Sequence, residues 1–146
     1  MLEKIHLDVF HAIIYAFEQS LLTVAGRGGA KNFIPPAINA ILHLDKKGLI
    51  ELPSGDLKTS MKKFSEDMKT IAQHMTFQKN NDEFVLNLVG CKYAASHTAL
   101  GHAYTPFVCP VAIIAAAVIK KATNQNVRIV DSHVTKGGSI TKIVFD

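Results

Sequence analysis

Residues 111–119 read Val-Ala-Ile-Ile-Ala-Ala-Ala-Val-Ile, a run with no polar side chain. Counted from Val108, the stretch is broken only by Pro110. It is too short to span a bilayer, which takes about 20 residues. A helix that is apolar on nearly every side belongs inside a protein, so the segment is expected to be a buried helix. The rest of the chain can supply its surroundings, because 48% of the 146 residues are apolar. That length and composition suit one ordinary domain with a real core. Residues 1–146 are therefore read as a single unit, with a helical part (1–75) and a part made of sheet and buried helix (76–146).

The helical part rests on periodicity. Ile5, Val9, Ile13, Phe17, Leu21 and Val24 recur at spacings of three and four, which puts them on one face of a helix. Gly26-Arg27-Gly28-Gly29 is expected to end it. Pro35-Pro36 can open a second helix, since proline is tolerated in a first turn, and Asp45-Lys46-Lys47-Gly48 reads as its stop. Leu49–Leu52 alternates and could form a short strand. Leu57, Met61, Phe64, Met68, Ile71 and Met75 then predict an amphipathic helix, with lysines mostly between them.

The second part changes character. Phe84–Val89 is β-rich, and Asn80-Asn81-Asp82 before it is a turn, so Met75–Gln78 is expected to be the other strand of a hairpin. After the buried helix, Val127–Val134 and Ile140–Phe145 form a second hairpin around Lys136-Gly137-Gly138. Only one helix separates the strands. The fold class expected is α+β: N-terminal helices packed on a mostly antiparallel sheet, with a buried helix between strands.

Charge and motifs exclude more than they reveal. The net charge of +4 is spread among acidic residues, without a dense basic stripe or interleaved aromatics, so nucleic acid is not an expected partner. Ile41–Leu52 has some likeness to a winged-helix passage but lacks a basic recognition helix before it. Gly26–Lys31 lacks the strand and the Gly-Lys-Ser/Thr ending of a phosphate loop. The N-terminus shows no basic leader followed by a cleavage site, and a cytoplasmic, non-membrane protein is expected. Cys91 and Cys109 are too few for a disulfide framework; they are either buried inert thiols or groups for metal or redox chemistry.

The C-terminal half carries a resemblance. Asp82–Ala94 reads Asp-Glu-Phe-Val-Leu-Asn-Leu-Val-Gly-Cys-Lys-Tyr-Ala, followed by Pro106-Phe107-Val108-Cys109-Pro110 and the apolar helix. Then come Asn126-Val127-Arg128-Ile129-Val130-Asp131-Ser132-His133 and a closing strand after Gly137-Gly138. Over residues 82–146 this resembles the 4-vinyl reductase, or hydrocarbon-binding, domain family, in its stand-alone archaeal form and with a distant likeness to TRAPP subunits. The resemblance implies a homodimer and a small-molecule binding module, a sensor or carrier for an apolar or aromatic ligand. It also implies a zinc site, with Cys109, Asp131 and His133 at three of the ligand positions. The fourth position falls on Thr141, a poor donor, which leaves water, Cys91 or His102 to complete the tetrahedron zinc prefers. An open fourth position would suit a metal-dependent enzyme using Cys109 and His133. A regulatory or assembly role is the remaining alternative.

For the binding reading, an apolar pocket between helices and sheet would draw on Phe17, Phe64, Phe77, Phe84, Tyr104 and Phe107, with His102 or Tyr104 anchoring a polar group. The ligand-binding candidates are thus His102, Tyr104, Phe107 and Phe84; the metal candidates are Cys109, His133, Asp131 and Cys91. His97 and His102, five apart, do not share a helical face; they either line a pocket mouth or face solvent.

Overall fold

A computed structural model of the chain describes residues 7–92, 109–135 and 137–146. The elements run α1 (Leu7–Lys31), α2 (Ile34–Lys46), α3 (Leu57–Asp67), a 3-10 turn (Met68–Thr70), β1 (Ala72–Asn80), β2 (Glu83–Cys91), α4 (Pro110–Thr123), β3 (Val127–Thr135) and β4 (Gly138–Phe145). The four strands form one antiparallel sheet in the order β1-β2-β4-β3. The α+β class read from the sequence is the observed one.

The apolar run becomes α4 and lies in the middle of the layers. Ala112 and Ala115–Ile119 are fully buried. The sheet presents Phe84, Leu86, Leu88 and Ile143 in the same core, and α2 and α3 pack on α4. Small side chains at Ala112, Ala115 and Ala116 allow neighbouring backbones to approach closely, because interaxial distance follows side-chain size at the contact. Pro110 occupies the first turn, where its missing N–H costs nothing. Asn124 closes the helix in the left-handed conformation (φ 54°) with its N–H on Lys120 O at 2.8 Å.

A polar clasp fastens the helical layer. Asp45, at the end of α2, accepts the Leu52 N–H at 2.8 Å through one carboxylate oxygen and meets Lys121 Nζ of α4 at 2.8 Å through the other. The same ammonium donates to Leu52 O at 2.9 Å. The Lys121 hydrogen bond, followed by that of the Leu52 N–H, holds the Asp45 carboxyl below its ordinary range. The segment that reads as a short strand, Leu49–Leu52, is irregular and is held by this clasp instead.

Two other expectations differ from the structure. The amphipathic helix stops at Asp67 rather than running to Met75, and the strand begins at Ala72. Met75 and Phe77 pair with Leu88 and Leu86 in the hairpin, so pairing with β2 captures residues whose spacing also suits a helix. The hairpin turns at Asn81, in the left-handed region (φ 55°) that asparagine tolerates. In α1 the helix breaks at Gly26 (φ 67°, ψ 175°) and resumes to Lys31. On the apolar face read there, Ile13, Phe17 and Val24 are 47%, 69% and 87% exposed and Leu21 is half-buried. No helix among the described residues is long and apolar enough to cross a membrane.

Candidate functional site

Cys109 is the N-cap residue of α4. Its backbone N–H donates to Ser132 Oγ at 3.0 Å, and Ser132 Oγ shares a hydrogen bond with Thr141 Oγ1 at 2.8 Å. This ties the start of the buried helix to β3 and β4. The thiol is buried, and burial pushes it above the usual thiol range. The Ser139 hydroxyl and the N–H groups of Ala112 and Val111 oppose that shift, while nearby Cys91 adds to it. A buried, protonated thiol is a poor nucleophile and a poor metal ligand. Cys91 is also buried, and both cysteines are free.

His133 and Asp131 stand elsewhere. Their side chains are 48% and 59% exposed, and His133 Nδ1 lies 3.6 Å from Asp131 Oδ2. Neighbouring strand residues point to opposite faces, and it is Ser132 between them that faces Cys109. A bulge decides this. Ile129 pairs with Ile143 but Asp131 with Lys142, so Val130 is an extra residue. Alternation counted from the inward Val127 and Ile129 would turn 131 and 133 toward the helix; the inserted residue reverses them. Cys109 and His133 are therefore on opposite faces of the sheet, and the implied zinc set is not assembled. Thr141 is on the inner face, bonded to Ser132. Among the described residues, no three His, Cys, Asp or Glu side chains converge on one point. His97, His102, Tyr104 and Phe107 lie outside the described residues.

A groove opens where α3 passes over β1. It has a volume of about 550 Å³, within the range of small-molecule sites. Leu57 and Met61 of α3 and Phe77 of β1 give it an apolar floor; Lys58 and Lys62 stand on one wall and Lys79 on the other. The i, i+4 spacing of Leu57 and Met61, and that of Lys58 and Lys62, sets each pair on neighbouring stripes of the helix. Asp56 caps α3 by accepting the Thr59 N–H at 2.7 Å, and that bond holds its carboxyl below the ordinary range.

Phe77 stacks on Phe84 with ring centroids 5.3 Å apart and planes 14° from parallel. Phe84 in turn meets the edge of Phe145 at 5.0 Å, and Lys79 Nζ lies 5.9 Å from the Phe84 centroid. Phe84, a ligand-binding candidate by sequence, is thus sealed one layer beneath the groove. Phe64 is likewise core, whereas Phe77 lines the opening. Sequence reasoning assigned Met61, Lys62 and Lys79 no site role. The signal available was the lysines lying between the apolar positions of α3, which a solvated helix face explains equally well.

Two further hollows among the described residues are less suited to an organic ligand. One of about 580 Å³ is lined by Glu51, Ser54, Lys63 and Asp67 among others, and Lys63 is already paired with Asp67. One of about 360 Å³ lies between Lys31–Pro35 and the start of β3. No family model matches the chain, and no curated protein matches it.

Proposed function

We propose that this protein is a binding module for a small apolar or aromatic molecule, and that the groove between α3 and β1 holds it. The observation that carries the reading is an open groove of ligand size whose lining includes Leu57, Met61 and Phe77. Ligand sites are mostly apolar with a few placed polar groups, and this groove has that make-up. The buried Cys109 thiol and the outward His133 give the metal-dependent alternative no comparable support.

The test uses a neutral aromatic, 2-naphthamide, with intrinsic naphthalene fluorescence as the readout. Saturable binding is expected in the wild type. Phe77→Ala should weaken it about ten-fold, since a lost aromatic stacking contact and the lost buried area together approach 1.4 kcal/mol. Absence of saturable binding, or a Phe77→Ala variant that binds as well as wild type, removes the reading.

The homodimer implied by the resemblance is also proposed. Ile13, Phe17 and Val24 share one side of α1 and are exposed, and a second copy of the chain would cover them. Light scattering is expected to give the mass of two chains, and Phe17→Glu that of one. A wild type with the mass of one chain ends this proposal.

A further inference from the structure

Four cationic side chains of the described residues are held by carboxylates, and the lysines of the α3–β1 groove are not among them. Lys121 pairs with Asp45, Lys63 with Asp67, Lys142 with Glu83, and Arg128 with Asp146. Lys62 and Lys79 have no carboxylate partner among the described residues, yet they face one groove from opposite walls. Asp56 is the one acidic residue in the lining, and it is engaged with the Thr59 N–H and lies beside Lys58. Six residues of helix separate it from Lys62, about 9 Å at the α-helical rise. The groove therefore has a charge-balanced end at the start of α3 and a positive end at Lys62 and Lys79. Ser65, one turn beyond Met61, adds a hydroxyl to the lining.

The floor adds a shape requirement. One face of the Phe77 ring is taken by Phe84, and the rest of that ring borders the groove together with Met61. A thioether and an aromatic ring are both good partners for a flat ligand.

We infer that the groove selects an aromatic acid, with its ring over Phe77 and Met61 and its carboxylate toward the ammonium groups of Lys62 and Lys79. This rests on the binding reading above and adds the ligand's charge and the end of the groove that reads it. Aliphatic acids share the head group but not the flat body, so octanoate serves as a separate arm.

The experiment compares 2-naphthoate, 2-naphthamide and octanoate on the full chain at low salt, for wild type and for Lys62→Gln/Lys79→Gln. Both lysines are exposed, so the double variant keeps the fold, which its thermal unfolding curve checks. 2-Naphthoate is expected to bind about ten-fold more tightly than the amide, a few-fold for each of two solvent-screened ion pairs. The double variant should bring the acid to within two-fold of the amide measured on that same variant, and octanoate should bind wild type at least ten-fold more weakly than 2-naphthoate. Equal affinity of wild type for acid and amide, or an unaltered acid affinity in the double variant, overturns the charge assignment and leaves the binding reading standing. Octanoate binding as tightly as 2-naphthoate overturns the aromatic requirement. If neither naphthalene probe binds, both the inference and the reading beneath it fall.

Discussion

Phe84→Ala is expected to lower the unfolding free energy by about 3–5 kcal/mol, the range for emptying a large aromatic from a core. Phe84 has no solvent exposure and lies on β2, a central strand. It stacks on Phe77, meets the edge of Phe145, and pairs across the ladder with Ile143 of β4. Removing the ring withdraws support from three strands at once. Native stability is generally about 5–15 kcal/mol, so the variant loses a large part of it. Urea titration checks the value. A loss under about 1 kcal/mol would mean that the β1–β2 hairpin is not seated on this core. The change also loosens the floor of the groove, so weaker binding of a neutral aromatic by a folded Phe84→Ala protein is an indirect effect.

Gly138→Ala is the second large effect. Gly138 begins β4, pairing with Val89 of β2 on one side and Thr135 of β3 on the other. A Cβ there would lie 1.7 Å from the Leu88 carbonyl oxygen, which belongs to the backbone of β2. No rotamer change relieves that contact; β4 has to move away from β2. Overpacking in ordinary cores costs about 1–3 kcal/mol, and a backbone obstruction belongs at or above the top of that range. The neighbouring Gly137 is the control. It has φ +84° and open space around its Cβ position, so Gly137→Ala meets backbone strain alone, about 1–2 kcal/mol. The two variants separate space from conformation, and equal urea midpoints would show that the close approach of β2 and β4 does not matter.

Much of the architecture is legible in the amino-acid sequence. A helix apolar on all sides has to be enclosed, and the segment at 111–119 is enclosed. Pro35-Pro36 opens α2 and Asn81 turns the first hairpin, because the preferences of these residues are local. The site was far less legible. The apolar stripe of α3 pointed to a buried face but not to the neighbour it meets. The groove exists because β1 passes beneath that helix and brings Phe77 and Lys79 opposite Met61 and Lys62. The spacing of Met68, Ile71 and Met75 suits a helix, and pairing with β2 overrode it.

Sequence alone determined the order of elements, the buried helix and the α+β class, since each depends on the apolar pattern within a short window. Tertiary structure decided which side chains meet. The bulge at Val130 is the sharpest case: one extra residue reverses the face of everything after it, so Ser132 rather than His133 reaches Cys109. Strand alternation has a period of two, and no local preference records where an extra residue will be accommodated; pairing with β4 settles it.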